Sequence, residues 1–277
     1  EERIGAVALN RQAPIKPTPI GSTLCRHAEM VSMLESHIIH SNEYPFQTQD
    51  RQPIQVKIVV NDDSLSSWFL DVMEEEAKAE NPYNFEISIA DQDHSIEEMK
   101  HGAALAAICG NKNPVQGFRS TFLGMHAYKA TTSPAFMERY FSDGVTPETL
   151  KRAPALRYSH QDDLQQQWIE QVFGAPVPHG SHTLPSSQGF VSACRKGIAW
   201  GMNPALMVDE LIEQGELCEL IPGAVLNKPL YWHCSRIIAA PLQKFTQRVI
   251  QVANSRLDQS TRPRYAAVDG SGSAAAS

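Results

Sequence analysis

From Ile54 to about Leu257, short apolar runs alternate with amphipathic stretches, and this rhythm constrains the fold more than any other feature. Ile54-Gln-Val-Lys-Ile-Val-Val predicts a strand, Asn61-Asp-Asp-Ser a helix cap, and the residues to about Ala79 a helix. Tyr83 to Ala90 alternates as a strand, residues 95–101 form a short helix stopped by Gly102, and Leu105-Ala-Ala-Ile-Cys reads as a buried strand. Such repeats need right-handed crossovers and predict a mostly parallel sheet covered by helices. After Asn111-Lys-Asn-Pro come two predicted strands, 118–123 and 127–132, with no long helix between them. The alternation then resumes, with helices expected at 134–141, 147–152, 163–173, 188–196 and 204–214, and strands at 155–159, 181–184 and 198–202. Strands at 217–221 and 229–234 and a helix at 242–257 close the unit. Two doubly wound units fit this order, with the chain crossing near 118–126 and returning near 220–230.

The N-terminal portion obeys other rules. Residues 1–21 carry Pro14, Pro17, Pro19 and Gly21 and predict an extended or turn segment. From Ser22 to about Ser41 no proline or glycine intervenes, and Ser22 or Thr23 offers a cap. Leu24, Ala28, Val31, Leu34 and Ile38 recur at helical steps, giving an apolar stripe that needs a partner. Residues 42–53 are polar, contain Pro45 and Pro53, and read as a linker. The tail, 258–277, ends Gly270-Ser-Gly-Ser-Ala-Ala-Ala-Ser and reads as disordered or as an artificial expression remnant.

Composition narrows the function. Lys and Arg total 24 against 31 Asp and Glu, a formal charge of -7, which argues against a free-standing nucleic-acid binder. No run of about 18 apolar residues predicts a membrane span, and Glu1-Glu-Arg-Ile-Gly does not open like a secretory signal. Five scattered cysteines suit a reducing compartment, so a cytoplasmic protein is expected.

The residues also carry a resemblance. Arg11, Pro14, Pro17, Thr18 and Gly21 resemble the wing end of the winged helix-turn-helix in LysR-type transcriptional regulators, with Thr-x-x-Gly leading into that family's dimerising linker helix. Val60-Asn-Asp-Asp-Ser-Leu-Ser-Ser-Trp is similar to a run in the arginine/lysine-responsive (ArgP/LysG type) subfamily. Tyr140-Phe-Ser-Asp-Gly-Val-Thr, Asp162-Asp163, Ser186-Ser187 with Phe190, and Leu230-Tyr-Trp-His resemble that subfamily too. The resemblance spans roughly residues 2–257. It implies an α/β fold, a two-lobed effector domain of the periplasmic-binding-protein (type II) kind, preceded by a linker helix. The implied division is 1–21, a remnant of the DNA-binding wing; 22–53, linker helix and hinge; and 54–257, the effector domain. Lobe I would take about 54–123 and 224–257, and lobe II about 124–223. The implied protein is a cytoplasmic regulator that senses arginine or lysine, controls amino-acid export or metabolism genes, and associates as a dimer or tetramer. The helices that would read DNA are not seen ahead of the wing, so an engineered truncation or a natural fragment is expected. Only five Lys and Arg stand against six acids in the first 53 residues, so DNA binding is expected of the full-length protein alone.

The expected effector site lies between the lobes. A loop after a parallel strand, entering a helix at Asn61, presents free N–H groups and a positive dipole end to a carboxylate. Ser64 would donate its hydroxyl there and Trp68 would form an apolar wall; the plainer reading has Asp63 or Ser64 capping a helix and Trp68 in the core. Asp62, Asp63, Asp162 and Asp163 are candidate partners for a cationic group, with at most one of the last pair pointing inward. Ser186 and Ser187 precede another helix and offer further amide donors, although capping alone explains one of them. The pairs His37-x-x-His40 and His179-x-x-His182 lack completing ligands, so neither metal nor cofactor is expected. Nothing resembles a nucleophile elbow or a phosphate-cradling glycine loop, which argues against an enzyme. The rival readings are a periplasmic-type amino-acid solute-binding protein, which has no use for the stripe at 22–41, and an enzyme on the same fold.

Overall fold

The structure, a computed structural model, describes residues 1–12, 14–40, 55–79, 83–90, 98–99, 104–113 and 115–260. A hairpin of β1 (Leu9–Asn10) and β2 (Lys16–Pro17) opens the chain, and α1 (Pro19–His40) follows at once. The helix starts before the expected cap: Thr18 Oγ1 accepts the Gly21 N–H at 3.2 Å, and Pro19, with no N–H to leave unpaired, suits the first helical position. A side chain at Gly21 is barred by backbone, since its Cβ would stand 1.8 Å from the Ala8 carbonyl oxygen. Leu24, Val31 and Ile38 of the predicted stripe are exposed, while Met30 and Met33, on a neighbouring face, pack against the first core.

β3 (Gln55–Val60) runs into α2, which is α-helical over Asp62–Ser64, π-helical over Leu65–Phe69 and α-helical again over Leu70–Ala77. Then come β4 (Asn84–Ile89), β5 (Ala106–Cys109), β6 (Phe118–Thr132), α3 (Pro134–Phe141), α4 (Pro147–Arg152) and β7 (Ala155–Arg157). After them lie α5 (Leu164–Phe173), β8 (Ser181–Thr183), α6 (Ser187–Arg195), β9 (Gly201–Pro204) and α7 (Ala205–Glu213). β10 (Cys218–Glu219), β11 (Val225–Ser235) and α8 (Gln243–Arg256) complete the order. The expected linker at 42–53 lies outside the described residues, as do most of the short helix at 95–101 and the tail from 261.

One sheet carries the order β10-β6-β11-β5-β3-β4, with β9 also on β6. β3 pairs in parallel with β4 and β5, but every pair involving β6 or β11 is antiparallel. The mostly parallel expectation is therefore corrected to a mixed sheet. Its cause is that β6 and β11 are the outward and return passes between the same two bodies. The two strands predicted at 118–123 and 127–132 are likewise one. Gly124 lets the chain continue at φ +142, where a Cβ would stand 2.6 Å from Leu257 Cβ, and β11 answers with a register shift between Leu230 and Tyr231.

Two cores lie on either side of this passage. The first holds Ile58, Trp68, Phe69, Leu123, Trp232 and Phe245; the second holds Tyr128, Phe136, Leu150, Trp168 and Trp200. The divide falls between Leu123 and Tyr128 on β6 and between Leu226 and Leu230 on β11. Burying each of these large side chains contributes about 1.5–3 kcal/mol, so each lobe has its own driving force and the two passing strands form a narrow waist. No described helix is long and apolar enough to cross a membrane.

Candidate functional site

The N-termini of α2 in lobe I and α6 in lobe II meet at the wall of a cleft of about 440 Å³. Asn61, Asp62 and Asp63 border it from the first lobe; Tyr128, Asp162, Asp163, Gln167, Ser187 and Asn203 border it from the second, with Lys228 on the waist strand β11. Among the described lining residues are four carboxylates and one ammonium. The cleft therefore favours a ligand with a net cationic end while keeping one place for an anion.

The two lobes touch through a compact set of bonds. The Ser187 backbone N–H donates to Asp62 Oδ2 at 2.7 Å, and the Ser187 hydroxyl donates to Asp63 Oδ1 at 2.6 Å. The Tyr128 hydroxyl donates to the other oxygen, Asp63 Oδ2, at 2.7 Å. All three bonds join lobe I carboxylates to lobe II donors, and one is the first-turn amide of α6, whose positive end suits an anion. Burial raises the Asp63 pKa, against the bonds from Ser187 and Tyr128 that hold it down. The Tyr128 hydroxyl is pushed well above its ordinary range, first by burial and then by the Asp63 charge. His126 Nδ1 lies 3.5 Å from that hydroxyl; the ring is buried, and desolvation lowers its pKa to about 4.

The expected site residues divide. Asp62, Asp63, Asp162, Asp163 and Ser187 all border the cleft. Asp162 is held locally, its oxygens accepting the Tyr158 N–H at 2.7 Å and the Leu164 N–H at 3.1 Å, whereas Asp163 caps nothing with its side chain and is exposed. Ser186 caps α6 by accepting the Gly189 N–H at 3.0 Å and is not on the wall. The roles expected for Ser64 and Trp68 need correction: both are fully buried and neither reaches the cleft. α2 meets the gap end-on, so only its leading residues touch it, and the widened turn at Leu65–Phe69 turns Trp68 into the lobe I core.

Sequence reasoning did not single out several of the lining residues, Tyr128, Gln167, Asn203 and Lys228 among them. Tyr128 hides in the regular alternation of a strand, and Asn203 falls between a predicted strand and a predicted helix. Lys228, which donates to Gln167 Oε1 at 2.7 Å, looks like an ordinary surface lysine until β11 carries it back across the gap. Asn61 opens the stretch in which the sequence places the effector site, with no role of its own assigned there, and its side chain makes no capping bond. A buried acceptor without a donor is a local signal that a sequence does not display: Asn61 Oδ1 and Asn203 Oδ1 are both of this kind.

Comparison with known proteins agrees with this architecture. The family model of the LysR substrate binding domain matches residues 51–253. The chain is 34% identical over 251 residues to the HTH-type transcriptional regulator ArgP of Pseudomonas fluorescens Pf0-1, covering 91% of this chain and 83% of that protein. It superposes on the C-terminal domains of a LysR family protein from Agrobacterium tumefaciens C58 with a TM-score of 0.72 and 42% identity, covering 74% of this chain and 98% of that one. It also resembles full-length LysG of Corynebacterium glutamicum with bound effector Arg, with a TM-score of 0.70 and 25% identity, covering 93% and 86%.

Proposed function

Since this chain belongs to the LysR family of transcriptional regulators, we propose that its cleft is the sensing site for a basic amino acid, arginine or lysine. The observation that carries this reading is the charge of the lining: among the described lining residues stand four carboxylates from the two lobes and one ammonium, Lys228, which would meet an α-carboxylate while the acids favour the ligand's cationic groups. The effector named for the Corynebacterium relative is arginine, and the curated relatives are regulators rather than enzymes. The solute-binding alternative is not favoured.

In the working regulator the ligand acts only through a difference in affinity for two arrangements of the lobes, and thus of the oligomer and its bound DNA. The assembly is a dimer or tetramer in which a second copy covers the exposed Leu24 and Val31 of α1. Light scattering that returned only monomer would remove this part. For the effector, calorimetric titration with arginine, lysine and glutamine separates the cases. Arginine or lysine binds and glutamine does not; equal or absent heat from all three defeats the reading.

A further inference from the structure

Resting on that reading and going beyond it, we infer that Asn61 and Asn203 form the seat for the effector's cationic headgroup, their side-chain oxygens receiving its N–H donors from opposite lobes. Both residues border the cleft, and in both the Oδ1 atom is buried with no partner among the described residues. A buried acceptor left unpaired is destabilising, so these positions call for a donor from outside the chain.

The orientation of Asn203 is fixed by its other end. Its Nδ2 donates to Thr131 Oγ1 at 2.9 Å and approaches Gly201 O at 3.3 Å and Cys194 Sγ at 3.4 Å. Turning the amide over would sacrifice these contacts, so the oxygen remains the atom without a donor. Asn61 stands just ahead of α2, where an asparagine ordinarily caps by accepting an amide hydrogen. Here it makes no such bond, and the side chain is left for another partner.

Three of the four acids that line the cleft are engaged within the protein, and the fourth, Asp163, is exposed. Asp62 and Asp63 hold Ser187 and Tyr128, and Asp162 holds the Tyr158 and Leu164 amides. They supply a negative field. Among the described buried acceptors on the wall, the two amide oxygens are the ones left without a donor. A guanidinium, with five N–H donors, or an ammonium, with three, has donors enough for both. Because one oxygen belongs to each lobe, such a headgroup bridges them, which makes closure depend on headgroup chemistry.

The test compares wild type, Asn61→Ala and Asn203→Ser in titrations with arginine and lysine, and in proton–nitrogen spectra of bound arginine labelled in its guanidinium. Asn61→Ala removes an oxygen with no bond partner among the described residues, so it keeps the proposal testable even if Asn203→Ser disturbs β9. Each variant is expected to lose about tenfold or more in arginine affinity, the range for a hydrogen bond to a charged group. The shifted, exchange-protected guanidinium signals of the wild-type complex are expected to weaken with it. Arginine binding within twofold of wild type in both variants, with unchanged guanidinium signals, overturns the inference while leaving the basic-amino-acid reading in place. A wild-type protein that binds neither arginine nor lysine removes both.

Discussion

Ser187→Ala should open the two lobes in the absence of any ligand. Ser187 supplies two of the three short bonds that cross the cleft to Asp62 and Asp63, and the substitution deletes only the hydroxyl one, 2.6 Å from Asp63 Oδ1. Hydrogen bonds to charged groups are worth about 1.5–3 kcal/mol, and here the acceptor is a carboxyl whose burial already disfavours its charge. At about 1.4 kcal/mol per tenfold, the closed-to-open ratio should fall roughly ten- to hundredfold. Spin labels on cysteines introduced at Glu74 in lobe I and Lys151 in lobe II, both exposed, would report the interlobe distance. The exposed Cys25 and the partly exposed Cys218 must first be replaced by serine. A distance distribution that is the same in the variant as in the parent would refute the reasoning, because the hydroxyl would then contribute nothing to holding the lobes.

Other outcomes follow from the same geometry. Because burial between the closed lobes raises the Asp63 pKa from its ordinary value, outweighing the Ser187 and Tyr128 bonds that lower it, protonation favours closure; the closed fraction seen by the same labels should rise as pH falls toward the ordinary carboxylate range and should lose this dependence in Asp63→Asn. His126 has its pKa lowered to about 4, so the folded protein refuses a proton that the unfolded chain takes up below about 6.5; between pH 7.5 and 5 this group alone should cost about 2 kcal/mol of stability. Denaturant titrations of His126→Gln should show a correspondingly flatter pH dependence. Lys228→Met should weaken arginine binding about tenfold, since the α-carboxylate loses its ammonium; unchanged heats would exclude that pairing. Trp168→Ala, emptying the centre of the lobe II core, should cost about 3–5 kcal/mol in thermal or denaturant unfolding.

Much of the scaffold could be read from periodicity. The strand at Gln55–Val60, the helices at Pro134–Phe141 and Pro147–Arg152 and the last helix all arise from apolar spacing, with Ser133 and Thr146 capping the two middle helices, and such signals are local. What periodicity could not show was the waist. Gly124 looks like a strand breaker, and only the close approach of Leu257 and Gln259 explains why a glycine continues the strand there. The parallel expectation failed for a related reason: pairing direction is set by where a distant return strand lies, and Val225–Ser235 is about a hundred residues away from its partner. In the site, residue types at helix starts pointed to Asp62, Asp63 and Ser187, because helix ends make local demands. Whether those demands are met by a ligand or by the other lobe is a long-range matter. The bond between Ser187 and Asp63 spans 124 positions, and no local rule contains it.

That bond changes what an effector has to do. Had the acids been unpaired, a cationic ligand would gain the full strength of a charge pair on entry. Instead Asp62 and Asp63 already satisfy the amide and hydroxyl at the head of α6, so a ligand carboxylate arriving at that helix end must compete with Asp62 for the same N–H. Only the surplus over the displaced bonds counts toward affinity. A ligand shifts the lobes only by its difference in affinity for their two arrangements, so bonds made to both lobes at once count toward closure and bonds made to one lobe alone do not. The clasp and the unpaired asparagine oxygens thus have complementary effects: one holds the lobes together when the cleft is empty, and the other provides acceptors that only a suitable headgroup can fill. The two contributions separate in a double-mutant cycle of Ser187→Ala with Asn61→Ala. If the headgroup bridges lobes that the clasp also holds, the two changes are coupled in arginine affinity by more than about 0.5 kcal/mol; strict additivity would mean that closure and headgroup recognition are independent.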